Sequence, residues 1–435
     1  MRNLAAPAHQ RGAVIVTVAL VMLFLLGFMG IALDFGRMFI VKTELQTAVD
    51  SCALAAAQEL DNQDTALTRA RSAGRTAGNL NNVNLQSTNW GGQGKIVDAD
   101  VTFKDATYLA TTSFANAHYA QCAHTQPAIR MFLLHVLGAF SGNTADFPTQ
   151  RSVAALAVAR RGSAQTTCPV PLALKPKPGG TAPNYGFVLG EWITLITAAS
   201  GSVNGQIGWA NLDGSSNASE TRAEMNGHCG TKVGDTLGTP GTQTTIAEPW
   251  NYRFGIYKKL PTFSAEPAYT LPDFTGYAYT ALNWTNTVSI NGNLHNSAWD
   301  GTAAAGSGTT AANFLNKRSA FASCADTGSR VRGANSCESI TGLSLNSFQD
   351  LAPPGNVSGG HKEYGTSRRI VLVPLIDAGS RVIDYACLLM LQPLSIPMTD
   401  VQLEFRGNAS NPASPCSSSG LPGGVAGPLI PVLVR

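Results

Sequence analysis

Serine, histidine and cysteine are the side chains that could attack a substrate or hold a metal, and their spacing decides whether they do. A Ser-His-Asp hydrolase presents its serine on a G-x-S-x-G turn between a strand and a helix. No such elbow stands in that context here, and "GSGTT" lies inside the low-complexity run Gly301 to Ala312. His118, His124, His135, His228, His295 and His361 are scattered without an HxxxH or HExxH partner, so each reads as an ordinary surface or core histidine. In "GHCG", His228 sits beside Cys229, and neighbours on a strand point to opposite faces. "GGTAPNYG" lacks the lysine that a phosphate-binding loop needs. The expectation is a non-enzyme with no cofactor.

The eight cysteines show no CxxC and no Cys/His ligand spacing, which argues against structural zinc. Scattered cysteines behind an export signal fit disulfides in an oxidising compartment. With Cys52 set inside the N-terminal helix, seven remain, so one is free, paired between chains, or paired with Cys52. Cys324 and Cys337, close together in a Gly/Ser-rich stretch, are the favoured local bridge. Lys+Arg 30 against Asp+Glu 27 is too nearly balanced for general nucleic-acid binding. Only 13% of residues are charged and 44 are glycine, a mix typical of turn-rich β domains outside the cytoplasm.

Elements that could position anything begin at the N-terminus. Gly12 to Leu33 is apolar apart from Thr17, and at roughly 1.5 Å per residue the run is about 33 Å long, enough for a hydrocarbon core. It exceeds the usual apolar region of a cleaved signal peptide, although Gly30-Ile31-Ala32 offers a small-residue cleavage site. Arg2 and Arg11 before the run balance Arg37 and Lys42 after it. A long tail translocates largely regardless of charge, so the reading is N-terminus inside, the rest outside. No proline interrupts Ala8 to Gln126. Phe35, Met38, Val41, Leu45, Val49, Cys52, Ala56 and Leu60 recur every three or four residues, one face of a helix that continues out of the membrane. That stripe could pack on its own domain or against neighbouring subunits, since small side chains allow close helix approach. A second helix is expected from Asp64 to about Leu80.

Arg11-Gly12 ahead of the apolar run, "ALDFGR" (Ala32 to Arg37) closing it, and "LQTAVDSCALAAA" (Leu45 to Ala57) together resemble the TadE/TadG-like proteins of the Flp (tight-adherence) pilus assembly system. "NAHYAQCAHTQPAIRMFLLHVLGAF" followed by "SVAALAVAR" is similar to the strand, apolar helix and closing strand that follow in such proteins. Pilins cut by a prepilin peptidase carry Glu at the fifth mature position, where this chain has Thr17. The resemblance therefore implies the uncleaved, TadG-like branch. Cys52 stands where the family usually has alanine and reads as a small buried thiol. Members often carry a von Willebrand A domain, whose metal site begins Asp-x-Ser-x-Ser. Asp213, Ser215 and Asn217 take that spacing, but the last oxygen would be an amide's, and Asp-Gly-Ser is expected in a β-turn.

The remainder, from "EWITLITAASG" to "DVQLEFRG", reads as short strands separated by Gly, Pro, Asn and Ser. "RRIVLVPLID" and "YACLLMLQPL" are expected as two buried neighbouring strands, not a second span. The fold expected is α+β: a cytoplasmic tail 1–11, a transmembrane anchor 12–34, a long helix with a small α+β domain 35–160, a linker 161–167, and a larger β-rich extracytoplasmic domain 168–435. Anchoring and helix packing fall to Gly12, Thr17, Asp34, Gly36, Arg37, Leu45, Val49 and Ala56. By resemblance the chain is a structural component of pilus assembly in the inner membrane, with other Tad/Flp proteins as partners and possible self-association. The first alternative is an anchored adhesin or carbohydrate-binding module using Trp192, Trp209, Trp250, Trp284 and Trp299; an envelope hydrolase is the second.

Overall fold

The computed structural model describes residues 11–83, 95–134, 142, 145, 147–197, 203–239, 245–274, 288–290, 293–295, 344–352, 361–416 and 421–434. The chain divides into two compact units, Met1–Arg161 with Pro431–Arg435, and Gly162–Ile430.

The first unit is organised by one helix, α1 (Arg11–Gln58), 48 residues without a break. Without proline the hydrogen-bond ladder continues, and the alanine-rich second half has high helix propensity. Val41, Leu45, Ala48, Val49, Cys52, Ala53, Ala56 and Leu60 are buried in the unit's own core. The stripe thus packs at home from Val41 onward, while Phe35, Phe39 and Ile40 stay exposed.

The second helix, α2 (Ala66–Asn79), folds back along α1. Its close approach depends on Gly74, where an added Cβ would lie 3.1 Å from both the Ala56 Cβ and the Cys52 carbonyl oxygen. Arg69 ties the turn between the helices, its Nε 2.9 Å from a Glu59 carboxylate oxygen and its Nη2 paired with Asp61.

Against α1 lie β1 (Val101–Lys104), β2 (Tyr119–Arg130) and β3 (Gln150–Ser163), antiparallel in that order. The C-terminal β14 (Leu429–Leu433) completes the order β1-β2-β3-β14. Two expectations change here. Residues 161–163 continue β3 instead of opening a linker, because strand pairing overrides their Gly/Ser composition. The chain's last residues fall with the first unit, where the Val434 N–H donates to the Val158 carbonyl at 2.8 Å.

A disulfide joins Cys52 on α1 to Cys122 on β2, one of the three outcomes left open for the odd cysteine, so Cys52 crosslinks helix and sheet instead of acting only as a small packing side chain. No described cysteine is free. Cys324 and Cys337 lie outside the described residues.

The second unit is built on a sheet that closes. Its strands are β4 (Leu172–Leu174), β5 (Trp192–Leu195), β6 (Ile207–Trp209), β8 (Val288–Ile290), β9 (Asn293–His295), β11 (Ile370–Ile376), β12 (Val382–Met390) and β13 (Val401–Asn408), while β7 (Ile256–Tyr257) and β10 (Asp350–Leu351) pair separately. The order runs β13-β12-β11-β4-β6-β5, and β5 pairs again with β13 to make a barrel. Val371, Val373, Leu375, Leu388, Met390, Leu403 and Phe405 alternate along their strands into one core cluster. Leu372, Ile376, Tyr385 and Cys387, on the opposite face, join a second cluster. Burial on both faces explains why β11 and β12 are nearly continuous apolar runs. Disulfides Cys168–Cys229 and Cys387–Cys416 tie loops to this unit.

Replacing Cys52 and Cys122 together with alanine should cost about 4 kcal/mol through the loop that the bridge closes. The loss should appear as faster hydrogen exchange in β1 to β3 with the amides of the barrel strands β4 to β6 and β11 to β13 unchanged; equal exchange would mean that the bridge stabilises nothing. Asp at Leu45, Val49 and Ala56 together should make the first unit protease-sensitive while the protein still sediments with membranes. Unchanged protease resistance would exclude the buried stripe as that unit's core.

Candidate functional site

The residues with the least ordinary arrangement stand where α1 leaves its apolar run. Asp34 is almost fully buried on a helix whose preceding turns are entirely apolar. A carboxylate in such a place needs donors. It has three: the Phe132 N–H reaches Oδ1 at 3.0 Å, and the Leu133 and Leu134 N–H groups reach Oδ2 at 2.9 and 2.7 Å. These donors come from the segment after β2, where Met131 N–H bonds the Thr149 carbonyl at 2.9 Å and so ties the segment's base to β3's entry.

Helical geometry places two more α1 residues on the same side. Gly30, one turn earlier, leaves room that a side chain would fill: an added Cβ would lie 2.7 Å from the Leu133 Cβ. Arg37, almost one turn later, holds its guanidinium carbon 5.0 Å from the centre of the Phe132 ring, a cation–π contact. Gly30, Asp34 and Arg37 thus form a strip that receives residues 131–134 by shape, charge and ring stacking in turn. The arrangement can dock a loop on a helix, with both Asp34 carboxylate oxygens engaged by main-chain N–H groups.

The other expected residues are placed as follows. Leu45, Val49 and Ala56 are wholly buried between α1, α2 and the sheet. Gly36 faces open space within this chain, with nothing within 4 Å of an added Cβ. Thr17 is exposed within the apolar run, and Gly12 lies in the first turn of α1. The structure thus brings Asp34 and Arg37 together at one strip and places Leu45, Val49 and Ala56 together in the unit's core. Gly30 and residues 131–134 were missed as site residues; the signal that could have found them is a pair of exposed-type positions, an acid and a base three apart, at the end of an apolar run.

Elsewhere, chemistry-bearing residues are absorbed by structure. Asp213 closes a turn with Gly214 at positive φ, accepting the Ser215 N–H at 2.9 Å, and Asn217 caps the helix Ala218–Met225 through the Ser219 N–H at 3.0 Å. The turn at Asp-Gly-Ser is thus an Asx turn, following a β-turn that the Gly214 N–H closes on the Asn211 carbonyl at 3.4 Å. Among the described residues no His, Cys, Asp and Glu group of three or more forms a cation cluster. Trp192, Trp209 and Trp250 are core residues, the last two in edge-to-face contact at 5.9 Å, so they are not available as surface contact aromatics. Trp284 and Trp299 lie outside the described residues.

Compared with protein-family models, residues 12–59 match the Flp pilus-assembly TadE/G-like family. The segment carries a TadE/G-like domain. The matched residues coincide with α1, Arg11–Gln58, from the apolar run through Asp34 to the buried stripe. Comparison with curated proteins gives no match, and comparison with solved structures gives none. Among the described residues, one helix is long and apolar enough to cross a membrane, and it is this Tad-like one.

Asp34→Ala should free residues 131–134 from the Tad-like helix. Three N–H groups would lose a charged acceptor, a loss of about 3 kcal/mol, or roughly a hundredfold faster amide exchange. Asp34→Asn keeps one carbonyl oxygen and should fall between. Hydrogen exchange at Phe132 to Leu134 that is the same in all three proteins would show the contact to be idle.

Proposed function

We propose that the chain is a non-catalytic, TadG-like component of Flp pilus assembly that works by protein contacts in the cell envelope. The observation that carries this reading is the TadE/G-like match over 12–59, which falls on a single helix joining a membrane-length run to a folded domain. Thr17, where a peptidase-cleaved pilin has Glu, supports an uncleaved anchor over a fibre subunit. In this reading α1 crosses the inner membrane with its N-terminus in the cytoplasm, and both units lie outside. The three described disulfides support an oxidising compartment for both units. The partners are other Tad/Flp assembly proteins and further copies of the chain, and the exposed Phe39 and Ile40, beyond the apolar run, are apolar positions of the Tad-like helix left open to them.

A photoreactive residue at Ile40 in native-host membranes tests this. Crosslinks to pilus-assembly components, together with loss of pili when the gene is deleted, are expected. Normal piliation in the deletion strain, with crosslinks to none of these proteins, would defeat the proposal.

A further inference from the structure

We infer that Phe132 and Leu133 form a second membrane contact, inserted into the same leaflet that the end of the α1 apolar run occupies. The inference rests on α1 being the membrane anchor; it adds that the folded unit touches lipid with a segment about 100 residues downstream, at a depth fixed by Asp34.

Depth comes first. Leu133 packs on Gly30, and Gly30 lies a turn inside the apolar run that ends at Leu33, about 5 Å by helical rise. Any bilayer that covers this run therefore reaches Leu133. Exposure gives the second argument. Met131 and Leu134 are 4% and 8% exposed and anchor the segment in the core, whereas Phe132 and Leu133 between them are 58% and 39% exposed. They continue the apolar surface of Leu33 and Phe35 on α1, both also exposed. A turn facing water would place polar residues at those two positions.

The third argument is the state of the backbone. Irregular chain at membrane depth is tolerated only where its polar groups are met within the protein. The N–H groups of Phe132, Leu133 and Leu134 all end on the Asp34 carboxylate. Arg37, stacked on Phe132, then lies at the height of lipid phosphates, with its stem along apolar surface. The fitting partner is the lipid interface itself, acyl chain beneath an anionic headgroup.

The full chain in liposomes of phosphatidylcholine and phosphatidylglycerol would carry benzoylphenylalanine at one position at a time: Phe132, Phe24 in the apolar run, or Leu109, exposed on the first unit away from α1. Lipid adducts would be read by mass spectrometry after irradiation. Phe132 should label lipid as Phe24 does, with Leu109 at background. Label at Phe24 but background at Phe132, or protein adducts alone at Phe132, would overturn the inference and leave the anchor intact. Background at Phe24 as well would remove the anchor reading and this one with it.

Discussion

A carboxylate just past the apolar run of α1 is the constraint on which the first unit turns. Asp34 is too deeply buried to be solvated by water, and its negative charge is met by three consecutive main-chain donors from a segment nearly a hundred residues away. Because a helix is stiff over these distances, fixing residues 131–134 at Asp34 also fixes where β2 ends along α1. The Cys52–Cys122 bridge fixes a second point on the same pair of elements. Between the two, the sheet has little freedom to slide along the helix, and the small residues of α1 and α2 fill the remaining space at contact distance.

Much of this architecture follows from local rules, and the parts that do not share a cause. The continuous helix was legible because its apolar spacing and the lack of proline act over a few residues. The paired strands β11 and β12 were legible because burial on both faces leaves an apolar run too short and too interrupted to span a membrane. The partners of Asp34 were not, since three backbone donors carry no side-chain signature. Composition also misled at 161–163, where Gly and Ser suggest a linker but the ladder of β3 holds them extended. The short β4, lying between prolines, and the C-terminal β14 depend on partners far along the chain. Closure of the barrel, made by β5 meeting β13, is likewise a long-range fact.

The candidate site shows a similar division. Asp34 and Arg37 were visible as charged residues at a membrane boundary, and the buried stripe was visible by its period. That the stripe is used mainly within the unit could not be read, because a face of Leu, Val and Ala looks the same whether it meets its own sheet or another subunit. The tryptophans were open to either use, surface recognition in the alternative adhesin reading or core, and the described ones fill the core of the second unit.

The three described disulfides each join a cysteine to the next described one along the chain: Cys52 to Cys122, Cys168 to Cys229, Cys387 to Cys416. None of these loops overlaps or contains another in sequence. A polypeptide emerging from a translocation channel N-terminus first would meet each correct partner before the following pair appeared. Oxidation in order of emergence would then produce the native connectivity of these bridges without isomerisation. The chain's last strand, β14, joins β3 only after all of these crosslinks can have closed.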